Sequence, residues 1–210
     1  MRIRWLSPLL VLALGGCVPP PVDFGVDDGA PRPVPSVTQP LQILDQDAFW
    51  AMIEDARIRG RGDPNRMADA LDYKLYDAND ETIRSFQAQL VAASKRLYTW
   101  RHGEAAELIC GGMDSDEFSA WRSWVISLGR ATFDKVVANA DDVADVQDLK
   151  GGCYMWAERI GWVASEIWSE RHPDNPGGLA QLDPGTDPTG VRIHGDKAIR
   201  AALPKVAART

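Results

Sequence analysis

The chain has 210 residues, 45% hydrophobic and 25% charged, which are values of a globular domain of ordinary size with appendages. Its formal net charge is −7, and removal of the leader described next, with Arg2 and Arg4, takes this to −9. Such an acidic chain excludes non-specific nucleic-acid binding, which needs Lys and Arg against phosphates, and suits anionic lipid head groups poorly.

Met1-Arg2-Ile3-Arg4 is a short positive stretch, and Ser7 to Leu14 is an apolar run too short to span a bilayer. It closes on Leu14-Gly15-Gly16-Cys17, a tetrapeptide that resembles the lipobox of bacterial lipoproteins. The resemblance implies that residues 1–16 are a signal peptide and that Cys17 is lipidated, a palmitate-class anchor, as the first mature residue. The alternative is an ordinary secretory signal with a coincidental Cys. One acyl chain holds a protein only marginally, and lipoprotein processing supplies two or three. Val18 rather than Asp after the Cys points to the outer membrane, facing the periplasm, if the host is Gram-negative. Residues 17–44 read as a tether. Pro19, Pro20, Pro21, Pro31, Pro33, Pro35 and Pro40 favour extended conformers, and little apolar periodicity is present to build a core. Extended at ~3.1 Å per residue, it reaches about 80 Å.

Residues 45–208 read as an all-α domain, an irregular multi-helix bundle. Asp45 caps a helix whose face carries Phe49, Trp50, Ile53 and Ala56 and which stops near Gly60. Asp63-Pro64 is a second start signal, followed by Met67, Ala70, Leu71 and Leu75. Asn79-Asp80-Glu81 opens a longer helix through Ile83, Phe86, Leu90, Val91, Leu97 and Tyr98. Trp100 to Cys110 continues as helix until Gly111-Gly112 breaks it. Ser115 is the expected cap of the next helix, with Phe118, Trp121, Val125 and Leu128 inward, and Ala131 to Ala138 forms another. Asp141 to Leu149 is a short helical or turn-rich connector before the second break, Gly151-Gly152. Cys153 to Glu170 predicts one strong helix with Trp156, Ile160, Val163 and Ile167 on its stripe, widened by Met155, Trp162 and Trp168. A Pro/Gly/Asp loop spans 173–190, and Asp196 to Ala208 is a last amphipathic segment interrupted at Pro204. No run alternates long enough for a strand, and no internal repeat is present.

With Cys17 lipidated, Cys110 and Cys153 are the two remaining thiols, and an oxidising compartment predicts a disulfide between them. Two separate buried cysteines are the alternative. No CxxC or HExxH is present, and His102, His172 and His194 lie far apart, so neither metal nor cofactor is expected. Nucleophile elbows, phosphate loops and dinucleotide fingerprints are absent as well.

Phe49-Trp50-Ala51-Met52-Ile53-Glu54-Asp55-Ala56 is similar to the Phe-Trp-x-x-Ile-Glu-x-Ala opening of a bacterial family, domain of unknown function 4240. Ala105-Ala106, Ile109, Gly111-Gly112, Asp116, Phe118, Arg122, Trp124, Ile126, Gly129-Arg130 and Phe133 resemble that family's central pattern, and Leu203-Pro204 its end. The resemblance covers about residues 45–208 and brings no activity with it. The chain departs from the pattern where Arg101-His102-Gly103-Glu104 replaces Asp-Leu-Trp-Gly, and where Glu107, Cys110 and Met113 replace Tyr, Asn and Cys.

A polar site is conceivable at the Gly-Gly break. There Asp114, Asp116 and Glu117 would face Arg122 and Arg130 between Trp100, Trp121 and Trp124, with Glu107 nearby. The candidate binding residues are therefore Trp100, Asp116, Arg122, Trp124 and Arg130; no catalytic residue is assigned. The same composition arises when acids support a helix start, arginines pair locally and tryptophans fill the core. His102, Glu104 and Glu107 have acid–base chemistry but also fit a solvated helix face. The expected function is a membrane-anchored helical binding module of the cell envelope, with an envelope protein or small ligand as partner. An envelope hydrolase using Asp116, Glu117 or Glu107, and a structural spacer, are the alternatives.

Overall fold

The computed structural model describes residues 44–182 and 186–210. The expected signal peptide, the lipidation at Cys17 and the tether up to residue 43 lie outside the described residues. Among those described, every regular element is a helix: α1 (Gln46–Arg59), α2 (Pro64–Tyr76), α3 (Asp80–Leu97), α4 (Trp100–Cys110), α5 (Ser115–Ser127), α6 (Arg130–Ala138), α7 (Glu158–Arg171), α8 (Asp196–Ala202) and α9 (Pro204–Ala207). Three short 3-10 turns, Ala140–Asp145, Leu149–Cys153 and Met155–Ala157, lie between α6 and α7.

The helix starts follow from local chemistry. Asp45, Asp63, Asn79 and Thr99 each accept a backbone N–H of the first turn with the side-chain oxygen, which satisfies a donor the helix itself leaves free. At α5 the cap is Asp114 rather than Ser115. Asp114 Oδ1 accepts the Glu117 N–H at 2.8 Å and Glu117 Oε2 accepts the Asp114 N–H at 2.9 Å, a reciprocal capping box. The preceding helix ends because Gly111 turns left-handed at φ +82°, where a side chain would be strained.

Helix α5 is the hub. Nine of its 13 residues are buried, and it touches α1, α2, α3, α4, α6 and α7. A helix surrounded in this way buries more than the usual single stripe. Trp121 and Trp124 seat on the second glycine pair: a Cβ at Gly152 would stand 2.6 Å from Trp124 Cε3 and 2.7 Å from Trp121 Cδ1. The core also takes in Leu44, whose N–H donates to Ser85 Oγ and whose carbonyl accepts from Gln89.

The expected single helix from Cys153 is divided. The chain makes tight turns through Gly151-Gly152, Cys153 and Met155–Ala157, and the α-helix begins only at Glu158. The change of period moves Trp156 off the predicted stripe. It is 57% exposed and stacks on Tyr154 at 4.9 Å, while Ile160, Val163, Ile167 and Trp168 are buried as the pattern predicted. Met155 and Trp162 are exposed too. The C-terminus is held by buried Asp141, whose two carboxylate oxygens accept the Lys205 and Val206 N–H groups that open α9. Leu203 and Val206 fill the core beside it.

Cys110, at the end of α4, is bonded to Cys153, with a Cα–Cα distance of 5.3 Å and a sequence separation of 43. The cross-link ties the first Gly-Gly break to the second, and Lys150 Nζ donates to the Ile109 carbonyl alongside it. Closing that loop in the unfolded chain is worth about 4 kcal/mol in the chain-entropy account. The double variant Cys110→Ser/Cys153→Ser is therefore expected to lose about that much unfolding free energy in urea titration. Mass mapping without reductant is expected to recover the 110–153 peptide pair.

Candidate functional site

A cleft of about 390 Å³ opens between α4, the start of α5 and the segment 188–199. Tyr98, Trp100 and Phe118 supply its aromatic walls, and Gly103 and Met113 add to its helix side. The Tyr98 and Phe118 rings stack 5.8 Å apart. Behind them lies Arg122, buried to 2%, with its guanidinium 4.7 Å from the Tyr98 ring and 5.2 Å from the Phe118 ring. Its Nη1 donates to Ser94 Oγ at 2.8 Å and its Nε to the Phe118 carbonyl. These contacts hold both rings upright from the core side.

The other wall is a strap of chain laid along residues 98–104. The Tyr98 hydroxyl donates to the Thr186 carbonyl at 2.7 Å. Thr189 N–H donates to the Tyr98 carbonyl and Trp100 N–H to the Thr189 carbonyl, which makes an isolated parallel bridge at Thr99. Ile193 N–H donates to Glu104 Oε1 at 2.5 Å. Glu104 is only 3% exposed; its Oε2 has no hydrogen bond and stands 3.6 Å from Arg101 Nη1. Arg192, on the strap, sets its guanidinium over the Trp100 ring at 4.6 Å.

His102 lies in the first turn of α4 and is buried. Its Nε2 stands 2.9 Å from the Val136 carbonyl and its Nδ1 2.8 Å from Thr99 Oγ1. The neutral ring satisfies both, donating from Nε2 and accepting the Thr99 hydroxyl at Nδ1. Burial pushes its pKa below the ordinary value, more than the Val136 carbonyl raises it.

Of the five candidate binding residues, Trp100 alone lines the cleft. Arg122 is behind the wall, and Trp124 is core against Gly151 and Gly152. Asp116 is exposed on the first turn of α5 and is not among the lining residues. Arg130 begins α6 beyond the turn at Gly129 and pairs with Asp47 at 2.5 Å and Asp134 at 3.7 Å, so it does not meet the acids of the break. Glu104, Glu107 and Asp114 do line the cleft, as do Arg192, Ile193 and His194, which sequence reasoning did not single out. Those three come from nearly ninety residues downstream, where no spacing in the chain points to Trp100. Among the described residues no group of three or more His, Cys, Asp or Glu side chains is placed to hold a metal ion.

The fold and cleft thus define, among the described residues, a disulfide-linked, all-helical domain with an aromatic-walled recess bounded by a C-terminal strap. The family described as "Protein of unknown function (DUF4240)" matches residues 44–170, and the chain belongs to it. The match ends at α7, so the strap that closes the cleft lies beyond it. No curated protein and no solved structure shows a significant match to the chain. Gly103, Glu104, Glu107 and Met113, all within the matched residues, line the cleft.

Two outcomes follow from this geometry. Asp114→Ala removes the cap of α5 and is expected to cost about 1 kcal/mol, whereas Asp116→Ala, on an exposed surface, is expected to stay within about 0.5 kcal/mol; chemical denaturation separates them. For His102, folding lowers the pKa, so the unfolded chain takes up the proton first. The stability this neutral ring contributes is complete above pH ~6.5 and is lost as pH falls through that value toward the lower folded pKa. Unfolding free energy measured from pH 7.5 to 5 is expected to decline, with a shallower slope in His102→Gln.

Proposed function

We propose that the chain is a lipid-anchored helical binding module of the bacterial cell envelope, and that its ligand or partner is taken at the cleft beside Trp100. The carrying observation is the cleft itself. At about 390 Å³ it has the size of a small-ligand pocket, and it is walled by Tyr98, Trp100 and Phe118 with a few polar groups converging on it. Anchoring rests on the Leu14-Gly15-Gly16-Cys17 motif. The Cys110–Cys153 bond is in keeping with export, since such bonds persist in oxidising compartments. The Pro-rich tether would give the domain room to reach a partner away from the membrane; in a Gram-negative host that membrane is the outer one, on its periplasmic side.

An envelope hydrolase draws less support from the geometry. Of the acids that reading would use, Glu117 is bound in the capping box with Asp114, Asp116 does not line the cleft, and Glu107 alone of the three does. A pure spacer gives no reason for a strapped aromatic recess.

Crosslinking in intact cells followed by purification tests the reading. The wild-type chain is expected to capture a discrete partner or ligand, and Trp100→Ala to lose most of that capture while retaining the helical circular-dichroism spectrum. Capture that is equal in the two chains would sink the cleft as the binding site. Cys17→Ser is expected to abolish lipid labelling and release the protein from the membrane fraction.

A further inference from the structure

The cleft has a chemical bias. Three carboxylates line it, Glu104, Glu107 and Asp114, against one guanidinium, Arg192, among its described lining residues. Glu104 is 3% exposed and one of its oxygens has no hydrogen bond. Arg101 stands at 3.6 Å, a distance longer than a hydrogen bond. A carboxylate held out of water with incomplete pairing projects negative potential further than a solvated one. Trp100 adds the negative face of an indole, the best aromatic partner for a cation. The structure already puts a cation there: Arg192 lies over that face at 4.6 Å, carried on the strap that Glu104 holds through Ile193 N–H.

We infer that the cleft binds an organic cation, a guanidinium or alkylammonium group, and that Arg192 is a built-in competitor occupying the Trp100 face in the free chain. The inference rests on the cleft being the binding site. An incoming cation takes the indole face, Arg192 swings out to solvent, where it is already exposed, and the Glu104, Glu107 and Asp114 charges favour the new occupant. An anion would meet those three carboxylates instead. The same group is carried by a small free amine and by a basic side chain of a peptide, so both are probed.

Isothermal titration of the full-length chain in detergent micelles with agmatine, and with an end-blocked Gly-Gly-Arg-Gly-Gly peptide, tests this. Wild type is expected to bind agmatine, and Arg192→Ala to bind it roughly threefold more tightly because the competitor is gone. Trp100→Leu, which keeps apolar bulk but removes the indole face, is expected to weaken binding at least about fivefold. Glu104→Gln keeps an acceptor for Ile193 N–H and is expected to weaken binding as well. Agmatine and peptide binding together assign a side-chain-type ligand; agmatine alone assigns a small free cation. Tighter binding of inorganic phosphate than of either probe overturns the inference, as does the absence of binding in both wild type and Arg192→Ala. Weaker binding in Arg192→Ala also overturns it. If the cation probes fail while Trp100→Ala still abolishes capture in cells, the cation inference falls and the cleft remains the binding site.

Discussion

A guanidinium buried at the centre of the domain organises both its core and its cleft. Arg122 comes from the middle of α5 and is 2% exposed, so its desolvation has to be met by fixed partners. Ser94 from α3 and the Phe118 carbonyl one turn back on α5 accept its N–H groups. The Tyr98 and Phe118 rings turn their negative faces to the same guanidinium. Charge-assisted hydrogen bonds tolerate little displacement. Arg122 therefore fixes the register of α3 against α5 and, through the two rings, the angle at which the aromatic wall meets solvent. One side of those rings is core and the other is the cleft.

The second constraint is the close approach at the glycine pairs. Gly111 lets α4 end on a left-handed turn, and Gly152 admits the Trp121 and Trp124 rings at distances no Cβ would allow. The disulfide joins these two places. Its entropic effect falls on the unfolded chain, but its position also sets α4, which carries Trp100, His102, Glu104 and Glu107, relative to the turns before α7. Anchoring both ends of this region leaves the helix side of the cleft with little freedom. The strap, by contrast, is held by the backbone bonds at Thr189, the Tyr98 hydroxyl, the Arg192–Trp100 contact and the buried Glu104 carboxylate.

Local signals made most of the helices legible in the sequence. Asp45, Asp63-Pro64 and Asn79 act within one turn of themselves, and the 3.6-residue stripes of α1, α2, α3 and α5 are the ones the structure buries. What did not show was whatever depends on partners remote in sequence. The run from Cys153 has a helical pattern, yet tight packing on Gly152 and the cross-link impose 3-10 turns, whose three-residue period carries Trp156 outward. Arg122 and Arg130 stand eight residues apart and look like neighbours, but the turn at Gly129 sends Arg130 to Asp47 on another face. The acids of the break read as a cluster; two of them, Asp114 and Glu117, are in fact bound to one another's backbone. Pro188, Arg192, Ile193, His194 and Gly195 of the strap line the cleft, and nothing at 186–195 advertises a contact with Trp100.

The placement of Glu104 links the core to that strap. Glu104 and its neighbour Gly103 both line the cleft. Gly103 leaves space beside Phe118, whose nearest atom stands 3.8 Å from where a Cβ would be. The Glu104 carboxylate supplies a buried acceptor for Ile193 N–H. Each feature depends on the other: the space without the strap would be an open apolar dent, and the buried carboxylate without a donor would be unpaired. Together they make a recess lined by a buried carboxylate. The recess is thus shared between helices inside the matched residues and the strap that follows α7, with Glu104 joining the two.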